Sequence, residues 1–93
     1  MLSIEYRYFY QSALDSSIRK ASQNLNINSS AIVRQIQKLE DRLQTKLFIR
    51  NARGLELTNE GKLLFDHLSI QNEVNTNFLS DLKQNKTGTT GEI

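Results

Sequence analysis

Apolar residues in this chain recur mostly at spacings of three and four, with one short stretch of alternation between residues 47 and 58. The first stripe, Ile4, Tyr6, Phe9, Tyr10, Ala13 and Leu14, predicts a helix over about Ser3 to Leu14 with that face in the core. Asp15-Ser16-Ser17 breaks it, and Ser17 or Ser16 is placed to cap a short second helix over Ile18 to Leu25. Ile18, Ala21, Ser22 and Leu25 face inward there, the two small residues allowing another backbone to come close. Asn26-Ile27-Asn28 reads as a tight turn. Asn26 tolerates the left-handed conformation that ends a helix, Ile27 plugs the corner, and Asn28 caps the next helix.

The third helix is expected from Ser29 to about Thr45, with Ile32, Ile36, Leu39 and Leu43 buried. Ser30, Arg34, Gln37, Lys38, Asp41 and Arg42 then lie on its exposed side. The alternation in Leu55-Glu56-Leu57, the preceding Leu47-Phe48-Ile49-Arg50 and the Gly54 punctuation predict a two-stranded hairpin with Arg50 and Arg53 at or beside its tip. Thr58 or Asn59 caps a long fourth helix reaching about Gln84. Its stripe, Leu63, Leu64, Phe65, Leu68, Ile70, Val74, Phe78 and Leu82, is longer than the compact part can cover, so a partner helix is expected along it. The fold class is mostly α: three helices and a wing, then a long helix and a polar tail with Gly88 and Gly91.

Charge sharpens this picture. Between Arg19 and Arg53 stand eight basic residues and two acidic ones, a net +6 in a chain whose total is only +2. Clustered cations of this kind suit a phosphate-bearing partner, because each neutralised phosphate releases condensed counterions. Ninety-three residues make one small domain without room for a large cleft. The absence of Cys excludes disulfides and zinc fingers. No apolar run exceeds three residues, so no membrane span or signal-peptide stretch is read, and a soluble cytoplasmic protein is expected. An enzyme is not expected either. The single histidine, His67, lies between Leu64 and Leu68 with no catalytic partner near it in sequence, and Glu40 is read as a member of helical ion pairs. No metal site and no cofactor are anticipated.

Taken in order, Tyr8-Phe9, Ala21-Ser22, Ala31-Ile32, Arg34-Gln35-Ile36, Leu39-Glu40, Leu47-Phe48-Ile49-Arg50, Arg53, Leu57-Thr58 and Gly61 resemble the N-terminal DNA-binding domain of LysR-type bacterial transcriptional regulators. The resemblance implies a winged helix-turn-helix over 1–58, a linker and dimerisation helix over 59–85, and a hinge over 86–93 toward an absent effector-binding domain. Through that domain alone a small-molecule effector would act. It further implies double-stranded DNA as partner, with the third helix (29–45) in the major groove and the wing (48–57) at the minor groove.

The residues expected to meet DNA are Arg19, Lys20, Asn28, Ser29, Ser30, Val33, Arg34, Gln37, Lys38, Arg50 and Arg53. Those expected to hold a homodimer, or a tetramer in a full-length regulator, are Leu64, Leu68, Val74, Phe78 and Leu82. Departures from the family pattern at Ser29, where Gln is frequent, and Val33, where a hydroxyl residue is frequent, bear on the target sequence. Arg19, where a hydroxyl residue is common, adds a cation. The competing reading is a winged helix that binds protein, with the long helix as a dimerisation rod.

Overall fold

The computed structural model describes residues 3–71. Three helices, α1 (Ile4–Asp15), α2 (Ile18–Leu25) and α3 (Ser29–Leu43), are followed by a hairpin of β1 (Phe48–Asn51) and β2 (Gly54–Leu57). A fourth helix, α4, covers residues 59–71. The expected order and bounds of the elements hold to within two residues for the three helices.

Local chemistry explains the boundaries. Ser3 Oγ accepts from the Tyr6 N–H at the start of α1, and Ser17 Oγ accepts from the Lys20 N–H at the start of α2. Among the described residues three non-glycine residues, Ser16, Asn26 and Gln44, adopt positive φ, and each closes a helix with its own N–H returning to the last turn. Ser16 therefore ends α1, leaving Ser17 as the cap of α2. Gln44 ends α3 two residues earlier than the apolar period implies. Asn28 occupies the cap position of α3, but its side chain makes no capping hydrogen bond; its carbonyl accepts from Ala31 and Ile32 instead.

The core gathers Phe9 of α1, Ala21 of α2, Ile32, Ile36 and Leu39 of α3, Leu47, and Leu68 of α4. Phe9 meets Phe48 with ring centroids 5.2 Å apart, and Tyr10 stacks on Phe65 at 4.9 Å, fastening α4 to α1. Three expectations about inward faces are corrected. Ile4 and Leu14 lie at the two ends of α1, beyond the reach of the small core, and are 52% and 57% exposed. Leu43, in the last turn of α3, is exposed for the same reason. Ser12 is fully buried in their stead, one turn after Phe9 and on its face. Glu40 pairs with a lysine, but with Lys46 beyond the end of α3 and not within the helix: it is 9% exposed, and its Oε2 accepts from the backbone N–H groups of Leu47 (2.8 Å) and Phe48 (3.3 Å).

The strands pair antiparallel in the register Phe48↔Leu57, Ile49↔Glu56, Arg50↔Leu55 and Asn51↔Gly54, leaving Ala52 and Arg53 as the turn. Gly54, at φ +120°, completes the reversal in a conformation other residues rarely adopt. The base of the wing is bound to α4 through Leu47, whose carbonyl accepts from the Thr58 N–H at 3.0 Å. Thr58 Oγ1 donates to the Lys46 carbonyl and accepts from the Gly61 N–H, which caps α4 as expected.

Candidate nucleic-acid interface

Three elements converge on one concavity of about 470 Å³. The start of α2 contributes Ser17, Ile18 and Arg19; the first turns of α3 contribute Ser29, Ser30 and Val33; the wing contributes Arg50, Asn51, Gly54 and Leu55. The antiparallel register explains why Arg50 is there. Directly paired residues share a face of the ribbon, so Arg50 sits beside Leu55 on the face turned toward α3, while Ile49 and Glu56 occupy the other. A second hollow continues between α3 and the wing, and Val33, Gln37, Arg50 and Leu55 line it.

Of the eleven residues expected to meet DNA, Arg19, Ser29, Ser30, Val33 and Arg50 are thus brought into the main groove and Gln37 into its continuation. Arg34 and Lys38 are exposed one turn apart along α3, Lys20 is exposed on α2 and Asn28 at the turn between them, and Arg53 is exposed at the wing turn. These five line neither hollow. Val33 is half-buried, whereas the other ten are not in the core. Sequence reasoning missed Asn51, whose Oδ1 accepts from the Arg53 N–H at 2.9 Å while its Nδ2 donates to Glu56. Asn immediately before a two-residue turn is a signal that could have found it.

The cations divide into two sets. Among the described residues the ion pairs are Arg42 with Glu5 and Lys46 with Glu40. Arg42 also lies over the Tyr6 ring, 5.6 Å from its centroid, so it serves as a bolt between α1 and the end of α3. The other six cations of the basic segment, Arg19, Lys20, Arg34, Lys38, Arg50 and Arg53, have no carboxylate within ion-pair distance among the described residues. All six are exposed. The first N–H groups of α3, lacking a side-chain acceptor from Asn28, open at the same groove, where a helix N-terminus favours anions.

Two of the five residues expected at a dimer seam are described, and one of them is corrected. Leu68 is 3% exposed, buried in the chain's own core, and Leu64 packs against that core. The apolar residues that α4 leaves outward are Leu63 (72% exposed) and Ile70 (62%). Val74, Phe78 and Leu82 lie outside the described residues, as does the tail from 72 onward. His67 is exposed on α4. No helix among the described residues is long and apolar enough to cross a membrane.

Comparison with known proteins gives concordant results. Residues 5–62 match the family model of the bacterial regulatory helix-turn-helix protein, lysR family. The HTH-type transcriptional regulator GltR of Bacillus subtilis (strain 168) is 44% identical over 59 residues, 63% of this chain and 20% of GltR. The HTH-type transcriptional activator AmpR of Yersinia enterocolitica is 44% identical over 63 residues, 68% of this chain and 21% of AmpR. The chain thus spans about a fifth of the length of these relatives. Among solved structures, the BenM DNA-binding domain in complex with catB site 1 DNA superposes with a TM-score of 0.75 at 28% identity, covering 94% of this chain and 97% of that one. Full-length CbnR complexed with its target DNA gives 0.72 at 26% identity, covering 89% of this chain and 29% of CbnR.

Proposed function

The chain belongs to the LysR family of bacterial regulatory helix-turn-helix proteins, and from that premise we propose that it reads duplex DNA in a sequence-specific manner, α3 entering the major groove and the wing lying at the adjacent minor groove. The observation that carries this reading is the sorting of the cations. Arg42 and Lys46, at and just beyond the far end of α3, are neutralised within the chain, whereas the other six of the basic segment, two of them lining the groove and one at the wing turn, have no ion-pair partner among the described residues. A wing that binds protein has no need of that division. DNA complexes of BenM and CbnR, whose folds this chain shares, support the same choice.

The roles follow from position. Arg34 projects from the second turn of α3 toward a base edge or a neighbouring phosphate. Arg53 at the wing turn enters the minor groove and responds to its width and potential. Arg19, Lys20, Lys38 and Arg50 hold phosphates, together with the open N–H groups of α3. Ser29, Ser30, Asn28 and Gln37 supply hydrogen bonds, and Val33 supplies apolar contact to a thymine methyl group. The role is binding without catalysis, exercised in the bacterial cytoplasm where the DNA lies.

The proposed organisation is a reading unit over 1–58, a linker helix over 59–85 and a hinge over 86–93. A second copy would pair along α4 through Leu63 and Ile70, seven residues apart and outward on one face, continued by Val74, Phe78 and Leu82. Selection of bound sequences from random duplexes tests the reading. Enrichment of a motif, with Arg34→Ala relaxing one or two base pairs of it at a cost of roughly 1 to 3 kcal/mol per half-site, is expected. No enrichment over the input pool would overturn it.

A further inference from the structure

Glu40 is out of place by ordinary criteria. It is a carboxylate in the last turn of α3, where the helix dipole disfavours negative charge, and it is 9% exposed. Its surroundings compensate. One oxygen, Oε2, accepts from two successive backbone N–H groups, those of Leu47 and Phe48, while Oε1 lies 3.8 Å from the Lys46 ammonium. Leu47 and Phe48 are the residues that lead into β1. The other leg of the hairpin is bound to the first, since the Thr58 N–H donates to the Leu47 carbonyl and Thr58 Oγ1 donates to the Lys46 carbonyl. The polar ties of both legs of the wing to α3 therefore pass through a single carboxylate, beside the apolar seating of Leu47, Phe48 and Leu57 against the core.

We propose that Glu40 is a positioning residue for DNA recognition, a latch that fixes the angle of the wing against α3 and so decides where Arg53 falls. The inference rests on the DNA-binding reading of the groove and wing. Beyond its base the wing is held lightly: Phe48 and Leu57 pack against the core and Leu55 is half-buried, but residues 49–54 are all exposed. The hairpin is accordingly a lever. From Phe48 to the turn it extends about 15 Å at 3.3 Å per residue, so a rotation of roughly 10° at the base moves the tip by about 3 Å. A displacement of that size removes a hydrogen-bonded contact in the minor groove. Arg34 stands on α3 itself, so its reach does not depend on the latch.

The consequence is an asymmetry that a merely structural role would not produce, and a double-mutant cycle reads it. Affinity of the full chain for its best selected duplex is measured with Arg53→Ala and with Arg34→Ala, each in the wild-type and the Glu40→Ala background. In the wild type, Arg53→Ala weakens binding roughly tenfold. In Glu40→Ala, folded by circular dichroism, that factor falls below about twofold while the Arg34→Ala factor is unchanged. Glu40→Gln, which keeps an oxygen at the same reach, restores the Arg53 factor. Should Glu40→Ala fail to fold at the assay temperature, Glu40→Asp is read in the same cycle, because it withdraws the carboxylate by about one bond length while keeping its charge. An undiminished Arg53 factor in whichever variant folds overturns the proposal and leaves the DNA reading standing. A wild-type chain that binds no selected duplex overturns the DNA reading, and this proposal with it.

Discussion

Gly61, in the first turn of α4, sets two opposing effects against each other, and their magnitudes decide the outcome of replacing it with alanine. Helix propensity favours the change by about 1 kcal/mol. Packing opposes it. A Cβ built on Gly61 would lie 2.2 Å from the Leu47 carbonyl oxygen, 3.1 Å from the Leu47 carbonyl carbon and 3.0 Å from Leu57 Cδ2. The leucine methyl group can turn aside, but the carbonyl belongs to backbone already held by the Thr58 N–H and, one atom group away, by Glu40. Relief of about 1 Å must come from moving the start of α4 off the wing base, and overpacking of this kind costs about 1 to 3 kcal/mol or more. With contact to fixed backbone the upper end applies, so the net destabilisation is about 2 kcal/mol. In a domain of this size that lowers Tm by roughly 8 to 16 °C. Thermal unfolding followed by far-ultraviolet circular dichroism measures it, with Lys62→Ala, an exposed neighbour, as the control expected to change stability by less than about 0.5 kcal/mol. A Gly61→Ala chain melting at or above the wild-type temperature would refute the reasoning that the carbonyl is immovable.

Ser12 is fully buried and its hydroxyl has no hydrogen-bond partner among the described residues, so Ser12→Ala should stabilise the fold by about 1 kcal/mol in urea titration; a loss of stability would indicate an interaction the geometry does not reveal. Ile36→Ala, 5% exposed at the centre of the inward face of α3, should cost about 2 to 5 kcal/mol, and melting within a degree or two of wild type would contradict the core assignment. Phe78→Asp should convert dimers seen by sedimentation at micromolar concentration into folded monomers, an expectation that a wild-type chain monomeric at all concentrations would reject.

The helices were legible because their signals are local. Ile18 to Leu25 is bounded on one side by a serine cap and on the other by Asn26 in the left-handed conformation, both readable from residue type alone. The groove was legible in part, since Ser29, Ser30, Val33 and Arg50 come together once α3 and a hairpin are placed in order. What escaped depends on distant segments. Glu40 follows Ile36 by four residues, a spacing that puts it on the inward face, but its charge argued for solvent. Only the loop N–H groups seven and eight residues later make that burial tolerable. Ser12 stands one turn from Phe9 on the same face, where a hydroxyl disguises a core position. The apolar stripe of α4, longer than the compact part, points to a partner helix for Leu68. In fact α1 covers it as far as Leu68, through Tyr10 stacked on Phe65.

In the DNA-binding reading proposed above, the six cations of the segment from Arg19 to Arg53 that form no ion pair among the described residues face DNA phosphates and grooves. The most direct test is the salt dependence of duplex affinity, measured for the wild type and for single charge removals. If between four and six of these cations meet phosphates, log K falls against log salt with a slope of about −4 to −5 per subunit. Arg19→Ala and Lys20→Ala should each flatten that slope by about 0.9, whereas Arg42→Ala, which breaks a pair with Glu5 away from the groove, should leave it unchanged. A slope near zero in the wild type, or equal flattening by Arg42→Ala and Arg19→Ala, would overturn phosphate binding by these cations.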